Sequence, residues 1–231
     1  MNLNQKDFIE GKLLLIKKPI NWTSFQIVNK IRWLIKMKFN LKKIKVGHAG
    51  TLDPLATGLL IICTGKLTKK IIDFQNLNKS YKGTFVIGAT TPSFDLETKV
   101  SSNVSIDKIK NDYLFKTSKK FLGRINQEPP LFSAIKINGK KLYDYARKNE
   151  NIKIPKREII ISKFELTKIN LPEIDFEIDC SKGTYIRSVA NDFGKEIKVG
   201  AYLKSLCRTS IGNYNIKNAI SIKTFEKFMK N

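Results

Sequence analysis

The chain has 231 residues, enough for one domain with a full hydrophobic core, and carries 43 Lys and Arg against 20 Asp and Glu, a formal net charge of +23. With 42% apolar and 27% charged residues it lies outside the composition of disordered chains, and no apolar run approaches the ~18 residues of a membrane span. Three widely spaced cysteines and a single histidine argue against a disulfide framework and against a zinc site built from several imidazoles.

In chain order, KLLLI at 12–16 reads as a short strand ending before Pro19. Thr23 followed three residues later by Gln26 has capping-box spacing, and Ile27, Val28, Ile31, Leu34 and Ile35 recur at helical intervals, which predicts a helix over 24–38. Strands are predicted over 59–63 and 81–88 with a helix over 66–76 between them, and a further helix from Ser105 to about Phe115. Asn138-Gly139, set between Ile135-Lys136-Ile137 and Lys140-Lys141-Leu142, signals a tight turn. From Glu173 to Cys180, Ile174, Phe176, Ile178 and Cys180 alternate with Glu173, Asp175, Glu177 and Asp179, one face for the core and one for water. Ser181 to Thr184 then turns the chain into a helix over 185–197 with Thr184 as N-cap. A strand near 202–211 and a helix near 221–229 complete it. Strands and helices are interspersed, yet several neighbouring strands are joined by tight turns, which favours an α+β fold with a largely antiparallel sheet. There is no repeat or linker, so residues 1–231 read as one domain. The amino terminus lacks an apolar segment of the secretory kind, and a cytoplasmic location is expected.

The positive charge points toward a polyanion, because clustered Lys and Arg release counterions from phosphates. Of the 43 basic residues 37 are Lys, and Lys, Ile and Asn together make about 38% of the chain. That is the bias of an AT-rich genome, and it accounts for part of the charge.

Chemistry concentrates in KVGHAGTLDPLATGLLIICTGK, residues 45–66. Its glycines permit turns closed to other residues, and Pro54 holds Asp53 away from helical geometry, so a rigid loop presents one carboxylate beside the only histidine. An Asx-turn with a surface histidine is the plainer alternative. A phosphate-cradling loop at Gly65-Lys66 is rejected, since Leu60 and Leu67 stand where a glycine and a hydroxyl residue are required.

The run GHAGTLDPLATGLL (47–60) resembles the signature of tRNA pseudouridine-55 synthases of the TruB type. Further segments resemble the same family in the same order: KLLLIKKP (12–19), NKSYKGTFVIGATTPSFD (78–95), QEPPLFSAIKINGKKLYDYARK (127–148) and CSKGTYIRSVANDFG (180–194). The resemblance covers 12 to about 214, nearly the whole chain. It implies the pseudouridine synthase fold, a mixed, largely antiparallel central sheet flanked by helices with the active-site cleft across it. It also implies an isomerase that converts the T-loop uridine of tRNA to its C-glycoside isomer without cofactor or metal, acting as a monomer on the T-arm.

By the same resemblance Asp53 is the nucleophile, Arg187 the cation that pairs with it, and Tyr81 the residue that stacks on the target base and assists proton transfer. Tyr185 and Leu206 match residues that wall the uracil pocket. His48 matches a histidine that enters the T-loop beside the flipped nucleotide, and Lys18 a lysine near the site. Residues 127–156 match a mobile segment that closes on RNA. Attack at the ribose C1′, attack at the uracil C6 and elimination to a glycal all fit this outcome. Longer relatives continue into a PUA domain, whereas 23 residues follow Arg208 here, so a short form without that domain is expected. A tRNA-folding module with little turnover and a synthase for another RNA are the alternative functions.

Overall fold

The computed structural model describes residues 4–133, 135–148, 150 and 152–230. Its elements begin with α1 (Gln5–Glu10), β1 (Leu13–Lys18), α2 (Ser24–Lys38), β2 (Val46–His48), β3 (Thr57–Thr64), α3 (Ile71–Asn76) and β4 (Lys79–Ile87). They continue with β5 (Ala89–Thr90), β6 (Ser102–Asn103), α4 (Asn111–Lys119), β7 (Gly123–Gln127), β8 (Lys136–Ile137), β9 (Lys140–Lys141) and α5 (Leu142–Arg147). The last are β10 (Arg157–Asn170), β11 (Glu173–Cys180), α6 (Ile186–Glu196), β12 (Ala201–Ile211), β13 (Tyr214–Asn215), β14 (Ile220–Ser221) and α7 (Ile222–Lys230). The fold is α+β, with a mixed, mostly antiparallel sheet in which β1 with β14 and β3 with β12 are parallel pairs. Among the described residues no helix is long and apolar enough to cross a membrane.

The chain divides into two compact units, Met1–Tyr81 with Leu206–Asn231, and Lys82–Ser205. In the first, the strand order is β14-β1-β3-β12, and β2 also pairs with β3. The run LLIIC of β3 is buried on both faces. Leu60 and Ile62 face a core of Phe8, Ile16, Ile27, Ile31, Ile35 and Phe225, while Leu59, Ile61 and Cys63 face Ile211 and Ala219. Each such side chain contributes about 1.5–3 kcal/mol by leaving water, so this antiparallel pair of β1 and β3 is a rigid base for the loop that precedes Thr57. The helix predicted over 24–38 is α2, and its capping box forms as read: Thr23 accepts from Gln26 N–H and the Gln26 side chain accepts from Thr23 N–H.

In the second unit β12, β4, β11, β10 and β7 lie in that order. Phe85 stacks on Phe176 with centroids 4.1 Å apart, and Phe193 of α6 lies 5.9 Å from both Phe85 and Phe164, which docks α6 on the sheet. The alternation of β11 is as predicted, with Ile174, Phe176, Ile178 and Cys180 buried. Its polar face is more ordered than a merely wetted one. Lys163 and Lys82 pair with Glu177, Lys204 pairs with Glu173, and the Thr84 hydroxyl donates to Asp175 at 2.7 Å. The Asn138-Gly139 turn joins β8 to β9 with both residues at positive φ (51° and 78°), the two-residue hairpin its sequence demands. Of the expected clamping segment 127–156, residues 134, 149 and 151 lie outside the described residues.

Four local predictions need correction. The segment over 66–76 is a 3₁₀ stretch, Gly65–Lys70, followed by α3, because Gly65 sits at φ +51° hard against the carbonyls of Phe8 and Ile9. The helix predicted from Ser105 starts at Asn111, since the Ser105 hydroxyl instead bonds Asp107 and closes a local turn. Thr184 is not the N-cap of α6. Its hydroxyl donates to Ser181 O, and Tyr185 takes the cap position with its N–H on Gln127 Oε1 at 2.8 Å. The long strand β10 was not predicted, because a register shift between Ile161 and Lys163 moves its buried residues from 159 and 161 to 164 and 166, breaking the period of two.

Candidate active site

Asp53 lies on the arc 49–56 between β2 and β3, and nearly every bend of that arc is tied down. Ala49 N–H donates to Ile61 O at 2.9 Å, extending the ladder past His48. Leu52 is buried and doubly bonded to Ser24, the first residue of α2: its N–H donates to Ser24 Oγ at 2.9 Å, and that hydroxyl donates to Leu52 O at 3.1 Å. Ala56 N–H donates to Asp53 O at 3.1 Å, closing a turn with Pro54 at its second position, where the ring pre-sets φ. Pro54 O accepts from Asn21 N–H at 2.9 Å and from Lys18 Nζ at 3.2 Å. Asp53 itself is half-buried.

Two buried cations underlie the arc. Lys18 is 1% exposed, and its ammonium donates to Pro19 O, Trp22 O and Pro54 O. Lys18, matched by the resemblance to a lysine near the site, is part of the frame that carries Asp53. Burial pushes its pKa down to about 8, the Asp53 carboxylate opposing and the Arg208 charge adding to the shift. Arg208, also 1% exposed, donates from Nε to Leu59 O at 2.8 Å, from Nη2 to Gly50 O at 3.0 Å and from Nη1 to Thr51 O at 3.4 Å. His48 follows Gly47 into this setting. Burial first and the Arg208 charge second hold its pKa below the usual 6.5, against an opposing bond from the Gly50 backbone, so the ring is neutral near pH 7. Tyr81, at the end of the first unit in β4, is 8% exposed. Leu206 is half-buried and its carbonyl accepts from the Thr57 hydroxyl at 3.2 Å, where β12 begins to pair with β3.

Tyr185 and Arg187 belong to the second unit, at the head of α6. Arg187 is 3% exposed. Within its unit it donates to Ser93 O at 3.1 Å and Phe132 O at 3.0 Å, and its Nε lies 3.6 Å from Asp95 Oδ2. Asp95 is itself buried and accepts from Glu97 N–H, while Thr91 and Ser93 hydroxyls donate to its carbonyl. Gln127 brackets Tyr185, its Nε2 donating to Tyr185 O and its Oε1 accepting from Tyr185 N–H. The first turn of α6 thus anchors the 91–98 loop and the 127–133 segment together. Among the described residues no group of three or more His, Cys, Asp or Glu is placed to hold a metal ion.

Sequence reasoning missed Arg208, Ser24, Gln127 and Asp95. A signal existed for the first: in a chain with 37 Lys and six Arg, an arginine is the exception, and exceptions mark places where a planar fork of donors is needed. Ser24 and Gln127 carry no such mark, because their role exists only once α2 and β7 reach the loops they hold.

Residues 36–186 match the family described as TruB family pseudouridylate synthase (N terminal domain). A curated relative from Flavobacterium johnsoniae, tRNA pseudouridine synthase B, is 54% identical over 229 residues, covering 99% of this chain and 100% of its own. The protein of the same name from Phocaeicola vulgatus is 48% identical over 96% of this chain and 95% of its own. Among solved structures, a chain of a Cbf5-Nop10-Gar1 complex superimposes with a TM-score of 0.72 over 98% of this chain at 24% identity. This chain spans 56% of that one, and the likeness is one of fold.

Proposed function

Because the chain belongs to the TruB family of pseudouridylate synthases, we propose that it isomerises a uridine of tRNA, the T-loop residue at position 55, to pseudouridine. The end-to-end identity of 54% with a tRNA pseudouridine synthase B carries this reading. In the reaction the N-glycosidic bond breaks, the uracil turns within the site, and its C5 joins the ribose C1′, with no cofactor taking part.

Asp53 acts as the nucleophile. A nucleophile on a loop is effective only where the loop does not wander, since a misplacement of 1 Å costs on the order of 100-fold in rate. The bonds from Ser24, Asn21, Lys18 and Arg208 to the arc supply that constraint. Arg187 is the cation that pairs with the carboxylate, Tyr81 stacks on the base and assists proton transfer, and Tyr185 and Leu206 wall the uracil. His48 takes the space left in the T-loop by the flipped nucleotide. A neutral ring suits that part, because an inserted group that stacks offsets some of the few kcal/mol lost on unstacking. The T-arm is the docking target, the chain acts as a monomer, surface lysines contact phosphates, and 127–156 closes over the RNA.

The test is a T-stem-loop transcript incubated with wild-type protein and with Asp53→Asn, followed by mapping of pseudouridine. Wild type converts position 55 and the variant does not. Conversion by the variant, or none by wild type, refutes the assignment.

A further inference from the structure

Arg208 is fully enclosed yet charged, and all three of its hydrogen bonds go to backbone carbonyls on either side of Asp53. Two of them, Gly50 O and Thr51 O, precede the aspartate by three and two residues; the third, Leu59 O, follows it by six. Between those anchors lie the arc's own Asp53–Ala56 turn, the Ser24 clasp at Leu52 and the donors to Pro54. The guanidinium therefore gathers the entry and exit of the arc onto one rigid, planar group.

The backbone is built to allow this. Gly50 sits at φ +102°, a conformation that turns its carbonyl toward Arg208, and a Cβ there would lie 3.6 Å from Nη1. Gly58 sits at φ +115° and lets the Arg208 backbone approach so closely that a Cβ would meet its N and O at 2.4 Å. Arg208 pairs directly with Gly58 in the parallel register of β12 and β3. The side chain thus springs from a strand position locked to the strand that leaves the arc, and reaches back beneath the arc itself. Its charge is felt by the neighbours: it bears on both Lys18 and His48.

We propose that Arg208 is a positioning residue for the isomerisation, setting the height and direction of Asp53 by clamping the carbonyls of Gly50, Thr51 and Leu59. This rests on Asp53 being the nucleophile. A lysine at 208 does not replace it, because an ammonium serves only carbonyls that converge on one nitrogen, as those around Lys18 do, whereas Leu59 O, Thr51 O and Gly50 O are met by three different nitrogens of the planar group. Arg208 itself is too enclosed to touch RNA, so its effect falls on the chemical step and not on binding.

The experiment compares wild type, Arg208→Lys, Arg208→Met and Asp53→Asn as full chains. Dissociation constants for a T-stem-loop transcript, single-turnover rates and melting temperatures are measured, with rates taken well below each melting temperature and expressed per folded molecule. Arg208→Met is expected to bind RNA within about twofold of wild type and to lose on the order of 100-fold in single-turnover rate, the scale of a 1 Å misplacement. Arg208→Lys is expected to fold and to recover part of that rate, and should Arg208→Met not fold, the lysine variant alone decides. A residue that merely stabilises the fold would lower melting temperatures while leaving the rate per folded molecule at the wild-type value. That result in Arg208→Lys overturns the proposal, as does a loss confined to RNA affinity. If Asp53→Asn retains activity, the nucleophile assignment fails instead, and the two failures are told apart by that arm.

Discussion

Replacing Gly58 by alanine tests the packing that underlies the site. Gly58, the second residue of β3, sits at φ +115°, and the added Cβ meets Arg208 N and O at 2.4 Å, with the Arg208 carbonyl carbon at 2.9 Å. These are strand backbone atoms, which cannot swing aside like the tip of a side chain. Two costs combine. Holding a non-glycine residue at this φ costs about 1–3 kcal/mol, and forcing two backbones apart in a packed interior costs a further 1–3 kcal/mol or so. The sum is about 4 kcal/mol, and at about 2–4 °C per kcal/mol for a chain of this size it lowers the melting temperature by about 8–16 °C. Gly123→Ala supplies the control, because Gly123 has φ +90° with nothing within 4 Å of its added Cβ. It bears the conformational cost alone, about 2 kcal/mol. Thermal and urea unfolding of both variants give the comparison. Equal losses would refute the reasoning, since they would leave nothing for the clash between β3 and the Arg208 backbone to explain.

Further outcomes follow from the buried charges. Lys18 has a folded pKa of about 8 against an ordinary 10.5. The folded state then binds this proton less well than the unfolded chain, and wild type gains stability over Lys18→Met as pH rises through that window; urea midpoints at pH 7.5, 9 and 10.5 that move in parallel would contradict it. His48 is the only histidine, so its ring signals in proton NMR are assigned without ambiguity, and they should titrate with a midpoint below 6.5. A midpoint at or above 6.5 would mean that the ring is not desolvated as its surroundings imply. Asp95→Asn leaves the buried Arg187 guanidinium beside an amide in place of a carboxylate, and a loss of about 3 kcal/mol in urea unfolding is expected for breaking an enclosed pair. A change under 1 kcal/mol would show that the Asp95 carboxylate adds little to what holds Arg187.

The legible parts of the sequence were those where one local rule decides the outcome. The α2 capping box, the Asn138-Gly139 turn and the alternation of β11 each follow from neighbours a few residues apart, and each formed as read. The arc around Asp53 was legible as a rigid loop because Gly50, Pro54 and Gly58 restrict the backbone by themselves. What holds the arc was not legible. Ser24 is 28 residues from Leu52 and Arg208 is 158 from Gly50, and no local pattern reports a bond over such separations. β10 failed for a related reason, since the bulge near Ser162 is set by its pairing with β11 and not by its own residues. Thr184 shows the converse error. Its type is right for a cap, but the Ser181 carbonyl competes for its hydroxyl and Gln127 arrives from elsewhere to serve the helix end.

The net charge of +23 is mostly a property of the surface, and a few of the cations are buried against backbone carbonyls instead. Exposed lysines such as Lys42, Lys43, Lys66 and Lys69 supply charge to the surface, in keeping with a composition rich in Lys, Ile and Asn. Composition does not account for the places that three of the six arginines take. Arg32 donates to Val46 O at the start of β2, Arg187 to Ser93 O and Phe132 O, and Arg208 to Gly50 O, Thr51 O and Leu59 O. In all three cases the acceptor is a backbone carbonyl in or beside a motif the family resemblance singled out. Carbonyl oxygens on an irregular loop point in several directions, and a buried one left unpaired costs about 1–3 kcal/mol. A flat group with five donors meets several of them from different nitrogens in fixed directions, whereas a lysine meets only those that converge on one nitrogen, as Pro19 O, Trp22 O and Pro54 O do on Lys18. Lysine can therefore replace arginine wherever the requirement is charge. It cannot where a loop presents carbonyls that one nitrogen does not reach together, as with Gly50 O, Thr51 O and Leu59 O around Asp53.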